Sequence, residues 1–180
     1  MKYILLAAAI AAPTALFAAG TSSTNPPKPT GTTTICEEGM VYDTETKVCV
    51  TATQGQQSGL LNEQELMDAV REFAYAGQFS AARDILPLLD PNSDFTQTYM
   101  GFTARKLGDM DAAIAHYEVA LASNPDNLSA RSYMGQAHVE LGDMDAATVQ
   151  LAEIKARGGT QTWPAISLSN AIRTGRGYSY

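Results

Sequence analysis

One internal self-match constrains the fold of this chain more than any other feature of its sequence. Residues 99–113 (YMGFTARKLGDMDAA) and residues 133–147 (YMGQAHVELGDMDAA) agree in register and are 34 residues apart. A fixed period of this size is typical of arrays in which pairs of helices stack on their neighbours. The chain is therefore expected to be a helical repeat protein.

The glycines of the two copies indicate where the helices end and where they approach one another. Gly108 and Gly142 are predicted to end a helix, because glycine adopts the left-handed conformation that closes a helix C-terminus. Gly101 and Gly135 fall inside a helix, where glycine costs about 1 kcal/mol relative to alanine. That cost predicts a close contact that admits no side chain, with Ala113 and Ala147 on the second helices as the expected counterparts.

This pattern resembles the tetratricopeptide repeat over roughly residues 62–160. The resemblance rests on a small-Gly pair, a turn glycine, an alanine, an aromatic and a closing proline: Met100-Gly101, Gly108, Ala113, Tyr117, Ala120 and Pro125. It implies an all-α fold in which helical hairpins form a right-handed superhelix. It also implies a scaffold for protein or peptide partners, since such arrays present extended concave surfaces.

The array is expected to occupy residues 62–161 and to consist of three repeats and a cap. The predicted units are residues 63–93, 94–127 and 128–161, a capping helix at 162–174 and a loose tail at 175–180. The first repeat is degenerate, because aligning Gly77 with Gly108 makes it 31 residues long. Pro87 should kink or shorten the second helix of that repeat.

Residues 1–20 combine one lysine with an apolar run that small residues close, which is the pattern of a secretory signal peptide. The alanine-rich run favours export to a bacterial periplasm; secretion or an uncleaved N-terminal anchor are the alternatives. Cleavage would remove Lys2 and change the formal net charge from −7 to −8. An acidic chain without a basic run is a poor candidate for binding nucleic acid or an anionic membrane.

The N-terminal part of the mature chain is predicted to be a small stapled module between two linkers. Residues 21–35 are rich in Thr and Pro, and residues 51–61 are polar, so both stretches are expected to be flexible. Cys36 and Cys49, the only cysteines, are expected to form a disulfide across a β-hairpin at residues 36–50. A redox couple or a calcium site in this module is a weaker hypothesis, because neither the cysteine spacing nor the acidic residues match a known pattern.

The sequence offers no convergent set of catalytic residues. His116 and His138 fall on different predicted helices, and neither belongs to a zinc-binding H-E-x-x-H motif. His138 is expected to be a core histidine and His116 to face solvent. No phosphate-binding glycine loop and no nucleophile elbow is present. The chain is therefore predicted to be non-enzymatic and to need no metal or cofactor.

The family resemblance implies a binding groove on the faces of the first helices. Three positive residues and two aromatic residues there are expected to hold an acidic or aromatic peptide, although a solvated face without a ligand remains the alternative. The candidate peptide-binding residues are Arg71, Tyr75, Phe102, Arg105, Lys106 and Gln136, flanked by Met67, Thr98, Ser132 and Val139. The sequence leaves open whether the chain's own tail, through Tyr178 and Tyr180, occupies this groove.

The sequence is therefore consistent with two functions. The leading hypothesis is a periplasmic adaptor that binds a protein or peptide on its concave face, with self-association also possible. In the alternative, the module of Cys36 and Cys49 binds a cell-wall or surface glycan and the array serves as a spacer.

Overall fold

A computed structural model describes residues 24–178 of the chain. The predicted signal peptide at residues 1–20 and the last two residues, including Tyr180, lie outside the described residues. The described chain opens with four short elements: α1 (Gly31–Thr34), β1 (Met40–Asp43), β2 (Val48–Thr51) and α2 (Ala52–Ser58).

The predicted disulfide-stapled hairpin is confirmed. Strands β1 and β2 pair antiparallel, with Tyr42 opposite Cys49, and the sulfur atoms of Cys36 and Cys49 are bonded. The module packs on the array, since Val41 belongs to the same apolar core as Leu66. It is therefore an integral part of the fold.

The stretch expected to be a flexible linker after the module contains α2. Thr51 caps this helix by accepting the N–H of Gln54, and Gly59 ends it in the left-handed conformation. The small residues Ala52 and Gly55 are buried one turn apart, which lets the helix lie close to its neighbours. The expectation of a flexible linker before the module is also corrected, because residues 31–34 form α1 and contact the array.

The array itself is all-α, as predicted, and is built from three helical hairpins and a final helix. Its elements are α3 (Glu63–Tyr75), α4 (Phe79–Ile85), α5 (Asp94–Lys106), α6 (Met110–Ser123), α7 (Leu128–Glu140), α8 (Met144–Ala156) and α9 (Trp163–Thr174). The first helices α3, α5 and α7 lie side by side, and α9 packs on both α7 and α8. Helix α9 therefore covers the last hairpin, as a cap would.

The caps of the helices follow the repeated residues. Gly108 and Gly142 have φ values of 91° and 81°, which is the left-handed conformation expected at these turns. Asp109 and Asp143 then begin α6 and α8, each accepting a backbone N–H three residues further along. In the first repeat, α4 ends at Ile85 and continues as a 3₁₀ turn at Leu86–Leu88, so Pro87 shortens this helix as expected.

The mid-helix glycines mark close contacts, but the neighbours differ between the two copies. A Cβ added at Gly101 would lie 2.6 Å from the ring of Tyr117 and 3.0 Å from the carbonyl oxygen of Ala113. A Cβ added at Gly135 would instead lie 2.6 Å from Leu168 and 3.2 Å from Gln150. At Gly135 the nearest neighbour is therefore Leu168 of α9 and not the expected Ala147. In the preceding repeat, Tyr117 makes the corresponding contact with Gly101.

Candidate functional site

The inner face of the array is the surface formed by α3, α5 and α7, and its centre is a cluster of aromatic rings. Phe102 lies between Tyr75 and Tyr133, with ring centroids 6.3 and 4.8 Å away. The hydroxyl groups of Tyr75 and Tyr133 are 2.9 Å apart and hydrogen-bonded. Phe102 is 0% exposed. It therefore packs the three first helices together, which corrects the expectation that it faces an open groove.

The predicted positive residues lie on this face and contact groups of the chain itself. Arg105 Nη1 is 2.8 Å from the carboxylate of Glu140, and the Arg105 side chain is 0% exposed. Lys106 Nζ lies 5.8 Å from the ring centroid of Phe102. Burial, together with the charge of Arg105, lowers the pKa of Lys106 to about 8. Arg71 donates a hydrogen bond to the backbone oxygen of Asn25, 2.8 Å away.

Glu72 holds the segment before the stapled module against α3. Its carboxylate accepts the backbone N–H groups of Thr30 and Thr33 at 2.8 and 3.0 Å, and the hydroxyl groups of the same two residues. Glu72 is itself buried on α3. We call residues 24–35 the N-terminal segment, and Glu72 is its principal anchor. The sequence does not indicate this role, because a glutamate inside a helix gives no signal of a distant partner.

The end of the described chain returns to the other end of the inner face. The N–H of Tyr178 donates to Gln136 Oε1 at 3.0 Å, and Lys106 donates to the carbonyl oxygen of Tyr178 at 2.9 Å. The ring of Tyr178 stands edge-on to Trp163, with centroids 5.0 Å apart. The question left open by the sequence is thus answered for Tyr178, which contacts the predicted groove.

A cavity of about 270 Å³ lies between the N-terminal segment and Tyr178, the two parts of the chain that cover the inner face. Its walls combine prolines of the N-terminal segment, the C-terminal end of α3 and the aromatic residues of the chain's end. The lining residues are Pro26, Pro27, Pro29, Thr33, Glu72, Tyr75, Ala76, Trp163 and Tyr178. The inner face is therefore accessible between its two ends.

The histidines belong to the framework of the array. The Nδ1 atom of His116 is hydrogen-bonded to Gln97 Oε1 at 2.7 Å, and burial is the main cause that lowers the pKa of His116. His116 is half-buried, which corrects its expected exposure. His138 is also half-buried, 3.9 Å from the carboxylate of Asp143. Across residues 24–178, no three potential metal ligands lie together and no helix is long and apolar enough to cross a membrane.

A family model described as tetratricopeptide repeat matches residues 104–162. The matched residues run from the last turn of α5 through α6, α7 and α8. Residues 104–162 of the array are similar to tetratricopeptide repeats. No curated protein and no solved structure matches the chain at a significant level. Proteins with tetratricopeptide repeats are generally non-catalytic and typically bind proteins or peptides.

The candidate residues of the array share one face but differ in accessibility. Tyr75 and Lys106 are half-buried, whereas Gln136 is 0% exposed and accepts a hydrogen bond from the chain's own end. Their role in binding a peptide stays a prediction. Trp163 was not among the candidates, because it lies in the capping helix and the sequence does not indicate that it contacts Tyr178 at the inner face.

Proposed function

We propose that this protein is an exported, non-catalytic adaptor that binds an extended segment of a partner protein on the inner face of its array. Tetratricopeptide repeats are protein–protein interaction scaffolds, so this proposal adds a surface, a ligand form and a compartment to that role. The periplasm is the proposed compartment, supported by the pattern of residues 1–20 and by the disulfide of Cys36 and Cys49.

The observation that carries the proposal is how the inner face contacts the two covering segments. At both ends of the face, side chains of first helices bind backbone groups outside the array, at the start of α1 on one side and at Tyr178 on the other. Arg71 and Glu72 bind backbone atoms of the N-terminal segment, whereas Lys106 and Gln136 bind those of Tyr178. Hydrogen bonds to backbone groups suit any extended peptide, because they do not depend on its side chains.

The stapled module is proposed to stabilise the array. Val41 of β1 lies in the apolar core with residues of α3, and Gln56 of α2 donates to the carbonyl oxygen of Leu88 at 3.1 Å. A module that works as a mobile glycan-binding unit would need a free linker, and α2 occupies that stretch. The described contacts therefore favour the adaptor over the glycan-binding alternative.

The proposal is tested by site-specific photocrosslinking in intact cells. A photoreactive amino acid is placed at Ala76, an exposed residue that lines the inner-face cavity, and separately at Ala152, an exposed residue of the outer helix α8. We expect a discrete partner to be crosslinked from position 76 and not from position 152. A peptide copied from the crosslinked segment should then compete with the partner. Identical products from both positions would contradict the proposal.

A further inference from the structure

Gly177 lies where the inner face admits no side chain. A Cβ added at this residue would lie 1.7 Å from Glu140 Oε1 and 3.0 Å from Arg105 Nη1. Arg105 and Glu140 are joined by their own ion pair at 2.8 Å, so a side chain at position 177 has to displace the carboxylate of that pair. Glycine therefore fits this position without disturbing the contact between Arg105 and Glu140.

Both backbone polar groups of Tyr178, the residue after Gly177, are hydrogen-bonded to side chains of the array. Gln136 accepts the N–H of Tyr178, and Lys106 donates to its carbonyl oxygen, at 3.0 and 2.9 Å. The amide nitrogen of Gln136 is turned towards the hydroxyl groups of Ser132 and Ser167, 3.3 and 3.5 Å away. These two serines orient the Gln136 amide so that its oxygen accepts a hydrogen bond from a peptide N–H.

Trp163 supplies a surface for the side chain that follows the glycine. The rings of Trp163 and Tyr178 are perpendicular, with an interplanar angle of 89°. Edge-to-face pairs of this kind are attractive beyond the area they bury, because the positive edge of one ring meets the negative face of the other. An aromatic residue at this position is therefore favoured over an aliphatic one.

We propose that Arg105, Lys106, Gln136, Glu140 and Trp163 form a recognition subsite for an extended glycine–aromatic dipeptide of a partner protein, which the chain's own Gly177 and Tyr178 occupy as an internal ligand. This inference rests on the proposed function, because it names the peptide class that the inner face recognises. We call these five residues the glycine–aromatic subsite.

The internal ligand competes with any partner because it is tethered. A short flexible tether keeps its end at an effective concentration on the order of millimolar. A partner peptide must displace it, so its apparent affinity is the intrinsic affinity multiplied by the fraction of molecules whose subsite is free. A variant that cannot seat its own tail should therefore bind an added peptide more tightly than the natural chain does.

The test uses the full chain with Gly177→Val and a labelled synthetic peptide of residues 174–180. Fluorescence anisotropy should give an apparent affinity about tenfold tighter for Gly177→Val than for the natural chain. Arg176→Ala, which changes an exposed residue of the same tail, is the matched control and should bind the peptide as the natural chain does. Peptides with valine in place of the glycine, or alanine in place of the first tyrosine, should bind at least about tenfold more weakly.

Equal peptide affinity for Gly177→Val and for the natural chain would overturn the inference, as would equal binding of the peptide without its glycine. A thermal melt checks that Gly177→Val remains folded, and Tyr178→Ala in the full chain serves as a second variant with an unseated tail. A partner crosslinked from Ala76 together with a peptide that fails to bind would retain the adaptor and reject this subsite. Peptide binding without a crosslinked partner would retain the subsite and reject the adaptor.

Discussion

Replacing Glu72 with alanine should release the N-terminal segment without unfolding the array. The side chain of Glu72 is buried, and its carboxylate is the acceptor for both backbone N–H groups by which Thr30 and Thr33 contact α3. Alanine is a better helix former than glutamate. Helix α3 itself should therefore persist in the variant, and only the contacts across to residues 24–35 are lost.

The magnitude follows from the two backbone hydrogen bonds. A hydrogen bond to a charged group contributes about 1.5–3 kcal/mol to stability, and the two hydroxyl groups can turn to water when the carboxylate is removed. Water that enters the vacated space recovers part of the loss, so about 3 kcal/mol is a reasonable sum for the two amides. Because each 1.4 kcal/mol is roughly a factor of ten, the segment should open about a hundredfold more often.

Hydrogen exchange followed by mass spectrometry measures this opening directly. Peptic fragments that cover residues 24–35 should exchange about a hundredfold faster in Glu72→Ala than in the natural chain. Glu65→Ala is the matched control, because Glu65 lies on the same helix but binds only the backbone N–H of Asn62 at its start. Unchanged exchange of residues 24–35 in Glu72→Ala would refute the assignment of Glu72 as the anchor.

Three further outcomes are expected. Gly101→Ala should be destabilising by about 1–2 kcal/mol in a urea melt, because overpacking against the Tyr117 ring outweighs the gain in helix propensity, whereas Gly135→Ala meets the flexible end of a leucine and should be nearly neutral. The pKa of Lys106 is about 8 in the folded chain and 10.5 when unperturbed, so the unfolded state binds more protons between these values. The free energy of unfolding should therefore rise from pH 8 to 10.5 more steeply in the natural chain than in Lys106→Met, and equal slopes would contradict this. Cys36→Ser should lower the free energy of unfolding by about 3 kcal/mol, as the loop closed by this disulfide predicts, and an unchanged chemical denaturation curve would argue against it.

The fold could be predicted because its signals are local and repeated. Turn glycines such as Gly108 and the proline at position 87 each constrain the backbone within one helical turn. The 34-residue period shows that such local signals recur from one repeat to the next. Helix α2 was missed for the opposite reason. It is short and mostly polar and has a glycine at its centre, so the helix depends on its cap at Thr51 and on packing of Gly55 against Leu61 and Val50.

The sequence could predict which face of the array the candidate residues lie on, but not how far solvent reaches them. The repeat register places Tyr75, Phe102 and Gln136 on one face, and the structure brings them to that face. The register carries no information on what covers the face. The N-terminal segment and Tyr178 cover it through contacts such as Glu72 with Thr30 and Gln136 with Tyr178, which connect residues 42 positions apart.

These contacts change the physical basis on which the inner face can recognise a partner. The sequence suggests that a positive cluster attracts an acidic peptide, yet Arg105 already pairs with Glu140, and Arg71 binds a backbone oxygen. An ion pair that is satisfied within the protein offers little long-range attraction, because its charges cancel beyond their own separation. The groups directed at the bound segments are instead hydrogen-bonding side chains, a steric wall at Gly177 and the ring of Trp163. We therefore expect this face to recognise a partner segment through backbone geometry and shape, as it contacts the N-terminal segment and Tyr178.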